Sequence, residues 1–134
     1  MRIFVDTSAW AALYDRSDVN HDAAAGFLRG LKGRRVALIT TDYVLDETLT
    51  LIRMRVGHTK AVDFGRWIFE SEAVEVEEID GDLWREAWEI FVRYSDKDFS
   101  FTDCTSFALM RRMGLSEAFS FDKHFSQFGF TLLP

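Results

Sequence analysis

The chain has 134 residues, 48% of them hydrophobic, and carries a formal net charge of −6. Such a length suits one domain, here expected to span residues 1–134, and buries roughly two-thirds of the unfolded surface. Thirteen Phe and four Trp exclude a disordered chain or a disulfide-dependent mini-fold.

The lone Cys104 can form no internal disulfide and reads as a buried thiol of a reducing compartment. Met1 to Val5 is too short for a secretory leader, and no window approaches eighteen apolar residues, so a cytoplasmic protein without membrane contact is expected. The acidic balance excludes nucleic-acid binding through a general basic surface, because backbone affinity comes from Lys and Arg neutralising phosphates. Any such contact must be local. Candidate patches are Arg29, Lys32, Arg34 and Arg35; Arg53, Arg55, His58 and Lys60; and Arg111 and Arg112. Any one of them is by default a solvated face.

In chain order, Arg2 to Val5 predicts a strand, with Thr7 or Ser8 capping the helix that starts at Ala9. A helix over His21 to Leu31 and a strand over Val36 to Thr40 follow. Thr41 or Asp42 caps a helix that runs through Val56 and closes at Gly57. An amphipathic segment covers Thr59 to Glu70, Val74 to Ile79 is a strand, and Asp82 to Tyr94 is a helix rich in Trp and Phe. Ser100 to Met113 forms a helix stopped at Gly114, and Ala118 to Phe121 and Phe130 to Leu133 are the last strands. Strands alternating with helices imply a parallel sheet covered on both sides.

In open α/β sheets ligands bind outside the carboxyl ends of the strands, which separates four acids from the rest. Asp6 closes Ile3-Phe4-Val5 and Asp122 closes Phe119-Ser120-Phe121. Glu47 lies in the second turn of its helix, on an arc with Val44, Leu51 and Met54 that is expected to face inward, while Asp46 points to the polar side. Asp103 shares a face with Phe107 and Met110. Taken singly, each has an ordinary reading: Asp6 as a cap, Asp122 as a turn opener, Glu47 as an Arg partner, and Asp103 as the acidic member of a capping box opened by Ser100. Together on one edge they would repel, and such a cluster needs raised pKa values or bound cations. All-oxygen ligands favour Mg²⁺ or Mn²⁺ over zinc, and the matching chemistry is phosphodiester hydrolysis.

At these residues the sequence resembles the PIN-domain ribonucleases, most closely the VapC-type toxins of toxin–antitoxin pairs. The resemblance covers nearly the whole chain and rests on Ile3 to Ser8, Thr41 to Glu47, Ser100 to Asp103 and Ser120 to Phe125. Its four acids are separated by 41, 56 and 19 positions. It implies an α/β/α sandwich with a central, mainly parallel five-stranded sheet, an Mg²⁺ or Mn²⁺ site, endonucleolytic cleavage of RNA, a homodimer and inhibition by a small antitoxin. By position, Asp6, Glu47, Asp103 and Asp122 become the catalytic, metal-binding acids. Thr7 or Ser8, and with more weight Ser120, support them through their hydroxyls. Cys104 departs from the small residue that often follows the third acid. Asp96 and Asp98 are read as solvated.

His21, near a helix start, and His124, expected on a surface turn, accompany no Ser or Cys nucleophile in a recognisable setting. Nucleotide-binding glycine patterns are absent, and an aspartyl phosphatase would need an acid where Ser8 stands. The competing reading is a non-catalytic, metal-containing partner-binding module. Dimerisation through the apolar face of Thr59 to Glu70, around Trp67, is a further expectation. An antitoxin is expected to bring a basic side chain to the acidic pocket.

Overall fold

A computed structural model describes residues 1–134. Its strands are β1 (Arg2–Val5), β2 (Ala37–Thr41), β3 (Val74–Glu77), β4 (Glu117–Phe119) and β5 (Thr131–Leu133). The helices are α1 (Thr7–Tyr14), α2 (His21–Gly30), α3 (Asp42–Arg55), α4 (His58–Glu70), α5 (Gly81–Arg93), α6 (Phe101–Met113) and α7 (Lys123–Phe128). All strand pairs are parallel and the order is β3-β2-β1-β4-β5. The chain steps from β1 out to β3 on one side, then returns to place β4 on the other side of β1. That reversal makes the carboxyl ends of β1 and β4 the point where a crevice opens.

The central strand is apolar throughout, with Ile3, Phe4 and Val5 at 0% exposure, as burial on both faces requires. Against it pack Trp10 of α1 and Phe64 of α4, their rings 5.7 Å apart, and on the β4 side Phe125 of α7, 5.9 Å from Phe4. Phe107 meets Phe125 edge-on at 5.0 Å and stacks on Phe128 at 4.4 Å. Each fully buried aromatic of this kind contributes about 1.5–3 kcal/mol. This cluster fixes α6 and α7, the helices that bear Asp103 and His124, to the sheet.

Several local expectations are corrected. Helix α1 is capped not by Thr7 or Ser8 but by Asp6, in keeping with its ordinary reading as a cap: the chain turns directly after β1, and the Asp6 carboxylate accepts from Ala9 N at 3.3 Å. Thr7 and Ser8 therefore lie inside the first turn, their hydroxyls free for other partners. Strand β4 ends at Phe119, so Asp122 does not close it; it caps α7, a short helix not expected from the sequence. Strand β3 ends at Glu77, and Ile79 N donates to Asp42 Oδ1 at 3.0 Å. Gly114, at φ 67°, closes α6 in the left-handed conformation that a side chain would strain.

The inward face of α3 is Val44, Leu45, Thr48 and Ile52, whereas Met54 is 78% exposed. Glu47 is exposed at the margin of that face, not within it. The apolar surface also lies elsewhere than expected. On α4, Trp67 is half-buried with its ring 5.8 Å from Trp10, and Phe69 alone projects strongly. On α5, by contrast, Trp84, Trp88, Phe91 and Val92 are all exposed. No helix is long and apolar enough to cross a membrane.

Candidate active site

At the crevice between β1 and β4 lies a cavity of about 260 Å³ whose lining includes Asp6, Glu47, Asp103 and Asp122. Four different parts of the fold deliver them: the end of β1, the second turn of α3, the first turn of α6 and the cap of α7. Asp46 faces a neighbouring surface hollow, and neither Asp96 nor Asp98 lines the cavity. Asp96 is exposed and pairs with Lys97.

Two hydrogen-bonded chains hold three of the acids, Asp6, Asp103 and Asp122. In the first, Ser8 Oγ donates to Asp6 Oδ1 at 2.8 Å and accepts from Phe121 N at 2.9 Å, so one hydroxyl ties α1 to the segment after β4. Ser120 Oγ stands 3.4 Å from Ser8 Oγ and accepts from Asp122 N at 2.9 Å. Thr7 behaves differently: its Oγ1 lies 3.4 Å from Val44 O and 3.1 Å from Thr48 Oγ1, anchoring α1 to α3 behind the acids. In the second chain, Asp103 Oδ2 accepts from Ser100 N at 3.0 Å, completing a capping box, and also lies 2.9 Å from His124 Nδ1. The same nitrogen is 3.2 Å from Asp122 Oδ1. Helix capping and membership of the pocket are thus not alternatives for Asp103.

His124 corrects the sequence reading. It is not on an outlying surface turn; its side chain is 19% exposed and its ring meets Phe99 edge-on at 5.5 Å. Ligand-capable atoms of Asp103, Asp122 and His124 all fall within 4.8 Å of one another. The available signal was the pattern after Asp122: Phe125 and Phe128, three apart, with Gly129 behind, mark one turn of helix that folds position 124 back over the acids. His21, as read, begins a helix, and its Nδ1 donates to Ala12 O at 2.7 Å.

The electrostatics follow from this crowding. Burial pushes the Asp6 carboxyl up to about 7, with the Asp122 charge adding and hydrogen bonds from Ser8, Ser120 and Ala9 N opposing. Partial burial raises Glu47, helped by the Asp103 charge and opposed by the Thr102 hydroxyl. Asp103 is also raised, first by burial, against the Ser100 N–H. Burial, then the Asp103 charge, lifts the Cys104 thiol to about 11, so it is inert as a nucleophile. Carboxylates that resist ionisation because they are desolvated and near one another are stabilised as anions by a cation. A cluster of carboxylate oxygens fits a hard divalent ion.

Comparison with known proteins bears on the fold and the family. The pattern that defines the PIN domain family matches residues 3–131. The chain is 43% identical over 128 residues to the 23S rRNA-specific endonuclease VapC20 of Mycobacterium tuberculosis, covering 96% of this chain and 95% of that protein. It is 31% identical to a VapC ribonuclease of Archaeoglobus fulgidus, covering 94% and 80%. The crystal structure of Mycobacterium tuberculosis VapC20, described as a sarcin-ricin loop cleaving toxin, superposes with a TM-score of 0.89 over 96% of both chains. VapBC2 of Rickettsia felis, at 10% identity and a TM-score of 0.73 over 99% of this chain and 98% of that one, shares the fold. A family pattern over nearly the full length, with an all-parallel five-stranded sheet that carries four acids to its central edge, leads to one assignment: this chain belongs to the PIN domain family.

Proposed function

We propose that this protein is a divalent-metal-dependent endoribonuclease, the toxin of a VapBC-like toxin–antitoxin pair, with Asp6, Glu47, Asp103 and Asp122 as its metal-binding and catalytic acids. The observation that carries this reading is their convergence on one cavity, in which three of the four are raised toward neutrality. The fit of the oxygen donors favours Mg²⁺ or Mn²⁺. When bound, the ion lowers the pKa of a coordinated water and polarises the scissile phosphate.

The chain's own residues do the rest. Ser8 and Ser120 orient Asp6 and Asp122 by fixing the backbone between Phe121 and Asp122. His124 spans Asp103 and Asp122 and limits their repulsion. Phe121 and Phe125 supply an apolar part of the cavity lining beside the acids. Identity of 43% to a 23S rRNA-specific endonuclease makes the sarcin-ricin loop the first substrate to test. In keeping with the charge of the pocket, the antitoxin brings a basic side chain into it.

A second copy of the chain is proposed to cover α5. There Trp84 and Trp88 lie nearly parallel at 6.3 Å, and Trp84 reaches Phe101 at 5.0 Å. Exposed aromatics in such continuity are rare on monomers. Glu86 and Glu89 lie between Arg85 and Arg93 along the same exposed helix, an order that reads the same in both directions and suits antiparallel pairing with itself. A cytoplasmic location fits a ribonuclease whose targets are there.

The test of the activity is cleavage of 23S rRNA by the purified, antitoxin-free protein with Mn²⁺, compared with Asp6→Asn. The proposal requires cleavage by the wild type that is lost with chelator and reduced at least about 100-fold in Asp6→Asn, the scale on which loss of one central electrostatic group acts. Equal cleavage in both, or none in either, removes it.

A further inference from the structure

An acidic pocket repels the phosphates on either side of the bond it cuts, so an RNA strand needs cations close by to stay in place. Among the residues lining the acidic cavity there is one cation, Arg55. It shares a face of α3 with Glu47 and Leu51 at successive intervals of four, which puts it about 12 Å along the helix from Glu47. Its Nη1 is 3.7 Å from Asp18 Oδ2 and half of its side chain is exposed, so the pairing is loose and the guanidinium is available.

Arg55 is also the single residue common to that cavity and a second cleft, of about 560 Å³, where Arg16, His21 and Lys60 gather around the end of α1. Asp15 there is held below the usual carboxylate range by the Ser17 hydroxyl and N–H, leaving a cationic excess with Arg16, Arg55 and Lys60. His21 donates through Nδ1 to Ala12 O, which leaves Nε2 for a ligand hydroxyl. Arg53 and His58, neighbours of Arg55 and Lys60 in sequence, line a different hollow. The fold therefore splits that basic run: Arg55 and Lys60 share this cleft, and Arg55 alone also lines the acidic cavity.

We propose that this cleft is a phosphate-backbone subsite for substrate RNA: the strand leaves the acidic cavity past Arg55 and lays its flanking phosphates against Arg16 and Lys60. The guanidinium suits a bidentate grip on phosphate, and His21 Nε2 is placed to hydrogen-bond a ribose 2′-hydroxyl, which both donates and accepts. This inference rests on the ribonuclease reading of the acid cluster.

The experiment uses the Mn²⁺-loaded protein and two RNAs containing the same cleaved bond, one trimmed close to it and one extended on both sides. Variants are Arg55→Gln and the double variant Arg16→Ala/Lys60→Ala, both of whose side chains are exposed and dispensable for folding. Arg66→Ala, outside the cleft, is the control. For the extended RNA, KM rises about tenfold in the double variant and the slope of log affinity against log salt falls by about 1.4, the value for two lost single-strand phosphate contacts. With the trimmed RNA the double variant and the wild type have the same KM, and Arg66→Ala matches the wild type on both.

Wild-type cleavage with unchanged KM and salt slope in the cleft variants overturns the subsite while leaving the nuclease standing. So does an equal loss on both RNAs. Variants that bind RNA normally but lose an acidic antitoxin peptide would reassign the cleft to that partner. No cleavage or binding of either RNA by the wild type ends both readings.

Discussion

The His124 ring donates through Nδ1 to Asp103 Oδ2 at 2.9 Å, joining the first turns of α6 and α7 across the acidic cavity. Because Asp122 Oδ1 is 3.2 Å from the same nitrogen, this ring bridges two carboxylates that lie close together. His124→Leu keeps the contact with Phe99 and removes the donor. The metal-free variant is expected to melt several degrees lower at pH 6, as about 1–2 kcal/mol is lost when a buried charge-assisted hydrogen bond goes. Saturating Mn²⁺ narrows the difference, since the ion takes over the bridge between the two carboxylates. Calorimetry with and without Mn²⁺ reads both; an equal deficit in the two conditions would mean that His124 only packs.

Asp6 makes stability depend on pH in a defined direction. Its folded-state pKa, about 7, lies above the ordinary 3.8, so the folded chain holds the proton more tightly than the unfolded one. That contribution is fully present below about pH 4 and is lost as pH rises through about 7, amounting to on the order of 4 kcal/mol. Metal-free protein should therefore weaken across that window, and Mg²⁺ or Mn²⁺ should restore more stability at pH 8 than at pH 5. Asp6→Asn keeps a good helix cap and removes the titration. Denaturant melts at several pH values should show the variant, free of metal, more stable than the wild type at pH 8; a wild type and variant with parallel pH profiles would contradict this.

Ser8 works through two bonds at once, donating to Asp6 and accepting from Phe121 N. Ser8→Ala leaves that N–H without its partner and removes a bond that holds the Asp6 pKa down. About 1–2 kcal/mol of stability is expected to go, and the acidic limb of the pH–rate profile should move upward. Single-turnover cleavage across pH 5.5 to 8.5 checks this; a uniform loss of rate with the limb unmoved would assign Ser8 a purely structural role.

If a second copy covers α5, Trp88→Glu places a charge in the centre of that face. The dimer dissociation constant should rise at least about 30-fold, the effect of losing about 2 kcal/mol at a central aromatic, while Phe69→Glu on α4 leaves it unaltered. Light scattering across micromolar concentrations decides. A wild type that stays monomeric, or a dimer that responds only to Phe69→Glu, would sink the assignment.

How much of this was legible in the sequence depended on what each signal measures. Strand β1 is a buried apolar run ended by an acid, and its position and parallel setting are readable as such. Cap chemistry was harder, because Asp6, Thr7 and Ser8 are all good caps and only the tightness of the turn after β1 selects Asp6. Glu47 could be singled out from Asp46, yet the helical wheel placed it inward, because Leu51 and Met54 counted as core by type although Met54 faces solvent. His124 is hard to place from sequence because α7 spans six residues, and the single Phe125/Phe128 spacing before Gly129 is a weak sign of one helical turn. The apolar face was sought on α4, where Trp67 turned out to serve the interior; which of two amphipathic helices is covered by the rest of the chain is a tertiary fact. For the same reason the sequence shows Arg55 only as one charge in a basic run, and the packing of α1 against α3 gives it its neighbours.

The central claim is that the four acids form one cation site, and Mn²⁺ binding reads it most directly. Calorimetric or paramagnetic titration at pH 7.5 should show wild-type binding that weakens by roughly ten- to 100-fold, the range for disturbing a metal site, in each of Asp6→Asn, Glu47→Gln, Asp103→Asn and Asp122→Asn. The loss of affinity should run parallel to the loss of RNA cleavage in the same variants. Absence of binding by the wild type, or binding that all four variants retain, would contradict the account.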